Sequence, residues 1–165
     1  MKKYPPLEKL KSLLDYDPAT GIFRWKISRE GIKKGKIAGS RNTKGYINIF
    51  VDRKSYTAHR LAWYIAYGYL PQYIDHINRN PSDNRLSNLR ECTVSQNLAN
   101  VKGHGMNKYK GVSYYKRNKK YLSQIMCHYK RYYLGSFKTP EAAALAYNAK
   151  AIELHGEFAY LNEVE

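Results

Sequence analysis

Four side chains invite a chemical reading: Asp75, His76, Asn88 and Asn97. Asp75 and His76 are adjacent, and a polar loop over residues 77–87, dense in Asn, Asp, Arg and Ser, follows them. An imidazole titrating near ~6.5 can take a proton from water at neutral pH. A hard cation such as Mg²⁺ or Mn²⁺ needs only about one or two protein oxygens and keeps waters for the rest. Asp75 with the amide oxygen of Asn97 would supply that sparse site. A histidine-rich or cysteine-rich cluster would favour zinc, and the sequence offers neither. A base beside a bound cation is the equipment of phosphodiester hydrolysis. A calcium loop starting at Asp75 fails, because Ile77 and Arg79 cannot serve as its third and fifth positions. His59 is conceivable as a second catalytic group, with a structural histidine between hairpin and helix as the favoured reading.

Charge says what the substrate would be. The 165 residues carry 29 Lys+Arg against 13 Asp+Glu, a net +16 that draws the chain to polyanions, nucleic acid first among them. Residues 1–71 hold 15 bases and 5 acids, and residues 105–138 hold 9 bases and no acid, so two basic stretches flank a nearly neutral centre. A membrane-surface role needs a long amphipathic basic helix, and no stretch approaches the ~20 apolar residues of a span. The start, Met1-Lys2-Lys3-Tyr4-Pro5-Pro6, lacks the apolar core of a signal peptide. Cys92 and Cys127 stand apart with no metal-binding spacing, which suits an intracellular, reduced chain. No organic cofactor is expected.

The elements that must position these groups follow from periodicity. Leu7, Leu10, Leu13 and Leu14 recur at helical spacing, and residues 22–26 alternate as a strand. Residues 27–45 read as a basic, Gly-rich surface loop. Residues 46–51 and 55–57 form a hairpin around Asp52-Arg53-Lys54, and residues 58–69 a helix stopped by Gly68 and Pro71. Residues 73–76 are a strand entering the polar loop, and residues 89–92 a returning strand. Thr93-Val94-Ser95-Gln96 is a capping box for a helix through Asn97, Leu98 and Val101. Beyond a joint at residues 103–106, three strands are expected at 110–115, 121–127 and 131–137. A helix then starts at Thr139-Pro140-Glu141 with Ala142, Leu145, Ala146, Ala149 and Ile152 on its packed face. The expected domains are a basic segment 1–71, a core 72–102, a linker 103–106 and a DNA-binding domain 107–165.

With Ala58-His59-Arg60-Leu61 before it, the set Asp75-His76-Ile77, Asp83-Asn84-Arg85-Leu86-Ser87-Asn88-Leu89-Arg90 and Thr93-Val94-Ser95-Gln96-Asn97 resembles the HNH, or ββα-metal, endonucleases of the phage homing type. The resemblance covers roughly residues 58–101. It implies one divalent metal held by Asp75 and Asn97, His76 as general base, and Asn88 bracing the loop and orienting His76 through backbone hydrogen bonds. Asp75 and His76, as strand neighbours, can reach one site only if the strand ends or distorts there. Arg79, Arg85 and Arg90 are candidates for phosphate contacts, and Arg90 could equally be solvated or ion-paired.

Lys110-Gly111-Val112, Tyr133-Leu134-Gly135-Ser136-Phe137 and the alanine-rich segment 141–147 resemble the APETALA/ethylene-response-factor DNA-binding domain. That family lays its sheet in the major groove. The resemblance assigns groove contacts to Lys110, Ser113, Tyr115, Gln124, Met126, Arg131 and Tyr133. Ser113, Tyr115 and Met126 stand where that family typically has arginine, which weakens guanine readout. Lys116, Arg117, Lys119 and Lys120 would grip phosphate without specifying sequence. The fold class is therefore α+β. It comprises a ββα-metal core, an N-terminal hairpin and helix segment, and a C-terminal three-stranded antiparallel sheet on one helix. The expected partner is double-stranded DNA, met as a monomer that nicks, with a dimer left open. An inactive, sequence-specific DNA-binding regulator and a structure-directed or RNA-directed nuclease are the competing readings.

Overall fold

The computed structural model describes residues 4–28, 31–103 and 108–164. Residues 104–106 of the expected linker, with His104, lie outside them. The chain divides into two compact units, one ending at Cys92 and one starting at Thr93. Among the described residues no helix is long and apolar enough to cross a membrane.

In the first unit α1 (Leu7–Leu13) runs directly into β1 (Leu14–Asp17), which returns as β2 (Ile22–Trp25). Asp17 shapes the turn, its carboxylate accepting from the Ala19 N–H at 2.9 Å and the Thr20 hydroxyl at 2.6 Å. Register pairs Leu14 with Trp25 and Tyr16 with Phe23, so these four share the face that alternation dictates. A second antiparallel sheet follows, in the order β3 (Ser40–Arg41), β4 (Ile47–Val51), β5 (Lys54–Thr57). The stretch read as a surface loop is thus partly ordered sheet. Its Ala38 is buried, and the Ala38 N–H donates to the Phe23 carbonyl at 2.8 Å, a pairing between segments far apart in sequence.

No residue separates β5 from α2 (Ala58–Tyr67), which ends where Gly68 takes φ 78° and caps it. Leu61 and Ala62 of α2 are fully buried, with Leu10 and Ile49 in the same core. The hairpin β6 (Tyr73–His76) and β7 (Leu89–Cys92) completes the unit, with Ile74 and Leu89 entering that core.

The second unit opens with α3 (Val94–Asn100). Its capping box forms in full, the Thr93 hydroxyl accepting from the Gln96 N–H at 3.2 Å and Gln96 Oε1 from the Thr93 N–H at 2.8 Å. An antiparallel meander of β8 (Val112–Tyr115), β9 (Lys120–Cys127) and β10 (Lys130–Phe137) follows, covered by α4 (Pro140–His155). Thr139 caps α4 by accepting from the Ala142 N–H at 3.2 Å.

The packed face of α4 differs from the expected one. Ala143, Ala144, Tyr147 and Ala151 are buried, whereas Leu145 and Ile152 are 57% and 56% exposed. Alanine occurs on every side of this helix, so its apolar period is ambiguous. The sheet selects the row through residues 143, 147 and 151, whose alanines allow the backbone to approach Val112 and Ile125 closely.

Gly111 is part of that approach. It holds φ +76°, and a Cβ there would overlap the Tyr147 ring and meet the Gln124 carbonyl oxygen at 2.6 Å. Gly111→Ala is therefore expected to lower unfolding free energy by about 2–4 kcal/mol, from the left-handed backbone plus overpacking. A fall in the urea midpoint at unchanged m-value would show it; an unchanged midpoint would refute it.

Candidate active site

The polar loop of residues 77–88 closes on Asn88. That side chain accepts from the Asn78 N–H at 2.9 Å and donates to Asn78 Oδ1 at 3.0 Å and the Asp83 carbonyl at 2.8 Å. The Asn88 carbonyl also accepts from the Ile77 N–H at 2.9 Å, immediately after His76. A buried amide thus spans both ends of the loop and fixes where the chain leaves the strand. Asp83 stiffens the outer edge. Its carboxylate takes the Arg85 guanidinium at 2.8 and 2.6 Å and the Asn78 amide at 2.7 Å, and the Arg85 pair holds the carboxyl down at about 2.

His76 is the last residue of β6 and its carbonyl accepts from the Arg79 N–H at 2.8 Å, so the strand ends there in a turn. The imidazole is 6% exposed. His59 meets it edge-on, with ring centroids 5.0 Å apart at 75°, and Tyr46 lies at 5.9 Å. His76 Nε2 is 3.5 Å from Asn84 Oδ1, the long limit of a hydrogen bond. Burial pushes the His76 pKa below the ordinary histidine value, against the opposing influence of Asn84 and Asp75. A lowered pKa favours the neutral ring, the form that can accept a proton.

Asp75 stands opposite Arg90 in the β6–β7 register. Asp75 Oδ2 accepts from Arg90 Nε at 2.9 Å and pairs with Nη2 at 2.8 Å, both side chains being nearly buried. Arg90, a candidate phosphate contact, is thus committed to the carboxylate beside it on the sheet, as its ion-paired reading had it. Arg85 is likewise paired within the chain, and Arg79 sits exposed at positive φ in the turn after His76. Asn97 lies on α3 of the second unit, half-buried, with no side-chain hydrogen bond to any described residue.

The site loop is braced by segments distant in sequence. The Tyr16 hydroxyl donates to the Asn84 carbonyl at 2.8 Å, the Leu86 N–H to the Pro18 carbonyl at 3.0 Å, and the Ser82 hydroxyl to the Gly45 carbonyl at 2.7 Å. Gly21, at φ +74°, seats the β1–β2 turn so closely that a Cβ would strike the backbone of Asn84 and Arg85. Asn84 and Tyr46 went unassigned in the sequence. Asn84 could have been noticed, since an amide within a motif block needs a partner when buried, and it is 2% exposed.

In the second unit, alternation divides the sheet. Ser123, Ile125 and Cys127 of β9 are buried beneath α4, and Gln124 and Met126 project from the opposite face. Register places Arg131 beside Met126, Tyr133 beside Gln124, and Tyr115 beside Lys120. Ser113, Tyr115, Gln124, Met126, Arg131 and Tyr133 therefore share the uncovered face. Lys116, Arg117, Lys119 and Lys120 are exposed at the β8–β9 turn. Lys110 departs from its expected place. Its ammonium donates to the carbonyls of Leu98 at 3.3 Å, Ala99 at 2.7 Å and Val101 at 2.6 Å, closing the C-terminal end of α3. A cation is drawn there because the last carbonyls of a helix carry the negative end of its dipole.

Residues 56–99 match the HNH endonuclease family. The sequence is 31% identical to the uncharacterized HNH endonuclease L560 of Acanthamoeba polyphaga mimivirus over 154 residues, 92% of this chain and 73% of that protein. It is 33% identical to protein 3.8 of Escherichia phage T7 over 105 residues, 61% of this chain and 86% of the phage protein. Among solved structures, that of DNA binding and cleavage by the HNH homing endonuclease I-HmuI is similar at 24% identity and a TM-score of 0.41. That likeness covers 60% of this chain and 57% of the other. The family segment contains Asp75, His76, Asn88 and Asn97 together, and the relatives extend the match well beyond it. The chain belongs to the HNH endonuclease family.

Proposed function

We propose that the protein hydrolyses phosphodiester bonds in double-stranded DNA, one strand per active site, with His76 as general base and one divalent metal. The observation that carries this reading is the buried His76, clasped by His59, Tyr46 and Asn84 at the mouth of an amide-locked loop. Asp75 is the proposed carboxylate ligand and Asn97 the proposed amide ligand. Among the described residues no three His, Cys, Asp or Glu side chains cluster for a metal. One carboxylate plus an amide oxygen fits a hard cation that retains its own waters, Mg²⁺ or Mn²⁺. When bound, such an ion supplies positive charge against the charge developing on the phosphate and the leaving oxygen. His76 takes the proton of the attacking water. Asn88 holds the loop so that the imidazole does not have to be oriented anew in each turnover. A homing-type role, with a defined target site, belongs to the same proposal.

The second unit is proposed to hold the duplex. Its uncovered face offers Ser113, Tyr115, Gln124, Met126, Arg131 and Tyr133 to base edges and sugars, and its basic turn offers four cations to phosphate. Replacing Lys116, Arg117, Lys119 and Lys120 together by alanine is expected to weaken binding to unrelated duplexes alike. The slope of log Kobs against log salt should become shallower by about 0.9 for each phosphate that is no longer neutralised. An unchanged slope in a salt titration would remove the turn from the interface.

The direct test is supercoiled plasmid incubated with Mg²⁺, with and without EDTA. Conversion to open circle that stops with EDTA is the expected result. Cleavage that persists in EDTA would overturn the metal-dependent reading. Tight binding with no cleavage of any DNA would favour a DNA-binding regulator.

A further inference from the structure

His59 occupies the first turn of α2, immediately after β5, and its ring is wedged between two others. Its centroid lies 5.0 Å from that of His76 and 5.4 Å from that of Tyr46. His59 Nδ1 is buried without a hydrogen-bond partner. A buried histidine that serves the fold is normally hydrogen-bonded, because an unsatisfied polar atom costs about 1–3 kcal/mol. This histidine makes ring contacts instead, and both rings it touches belong to the site. Burial, aided by the neighbouring His76 and Arg60, pushes its pKa down to about 3, so it adds no positive charge beside the base.

The His76 ring is thus bounded on two sides. His59, from α2, meets it edge-on, Tyr46, from the approach to β4, lies tilted against it, and the Asn84 amide faces its Nε2. A hydrogen bond from Nε2–H to Asn84 Oδ1 corresponds to the tautomer with its lone pair on Nδ1. The hydrogen bond to Asn84, at 3.5 Å, constrains the ring only weakly by itself.

We propose that His59 is a positioning residue of the reaction. With Tyr46 it forms an aromatic bracket that, against Asn84, holds His76 in one rotamer and one tautomer. The inference rests on His76 being the general base. What matters at position 59 is a flat ring edge, and the nitrogens of His59 take no part in proton transfer.

The test compares His59→Phe, which keeps a flat ring, with His59→Leu, which fills similar space without one. Plasmid cleavage under single-turnover conditions gives the rate and KM, and two-bond ¹H–¹⁵N spectra of histidine-labelled protein report the His76 tautomer. His59→Leu should lower the rate by about tenfold or more with KM for DNA unchanged, as misorientation of a reacting group does. Its His76 signals should show both tautomers. His59→Phe should stay within about threefold of the unsubstituted rate, with a single tautomer. Equal rates and a single tautomer in both variants would reduce His59 to ordinary packing and overturn the proposal. Equal losses in both, with His76 still in one tautomer, would assign the nitrogens a chemical role and overturn it as well. If His59→Leu does not fold, Tyr46→Leu removes the other half of the bracket and is judged by the same criteria. His76→Ala separates the two readings. Cleavage that survives it defeats the base assignment, whereas loss of cleavage in His76→Ala beside unaltered position-59 variants defeats only the bracket.

Discussion

Replacement of His76 by alanine is expected to lower the rate of DNA cleavage by about 10²–10⁴-fold, the usual contribution of a general base. Affinity for duplex DNA should change little, because the proposed duplex-binding groups lie on the second unit's sheet and turn. The ring is buried and held by its neighbours. Burial holds its pKa below the ordinary histidine value, which favours the base form. Single-turnover cleavage with excess enzyme isolates the chemical step, and a gel-shift titration measures the affinity. A variant that binds normally and still cleaves within about threefold of the unsubstituted rate would end the role of His76. Circular dichroism guards against the trivial explanation, since a small cavity opens where the buried ring stood.

The largest effect on stability is expected at Arg90. Its guanidinium holds Asp75 through two contacts at 2.8 and 2.9 Å, with the two side chains only 12% and 6% exposed. Arg90→Met leaves a buried carboxylate without its guanidinium, a change that costs about 3–5 kcal/mol in comparable settings. The attraction itself is not the main quantity, because two desolvated charges roughly cancel their own gain; the penalty comes from removing one partner. The double variant Asp75→Asn with Arg90→Met should therefore recover most of the loss in urea denaturation. It should remain inactive on plasmid, because the proposed metal ligand is gone. A single variant as stable as the unsubstituted chain would show the pair to be incidental. A double variant that cleaves DNA would remove Asp75 from the site.

Much of this molecule was legible because local rules and tertiary demands agree. The period-2 runs became β2, β4, β6, β7 and the C-terminal meander within a residue or two. Gly68 stopped α2 and the Thr93 box started α3, since both act through their own backbone neighbours. The spacing of Asp75, His76, Asn88 and Asn97 was likewise visible, because motif chemistry compressed into one hairpin and helix leaves its residues close in sequence.

Local rules were silent where the deciding partner is remote. Alanine on every side of α4 left its packed face to be chosen by Val112 and Ile125. The resemblance assigns Lys110 to the DNA groove, yet the carbonyls at the end of α3, about ten residues earlier, claim its charge. His59 and Tyr46 precede His76 in segments of their own, and no pattern in those segments announces that three rings meet. The sequence alone thus determined that the chain carries the HNH motif and on which elements it lies. The tertiary structure decided which side chains surround His76, that Arg90 pairs with Asp75, and which face of the second sheet lies away from α4. The physical reason is that propensity and alternation act over a few residues, whereas burial and charge pairing join whatever the folded chain brings within a few ångströms.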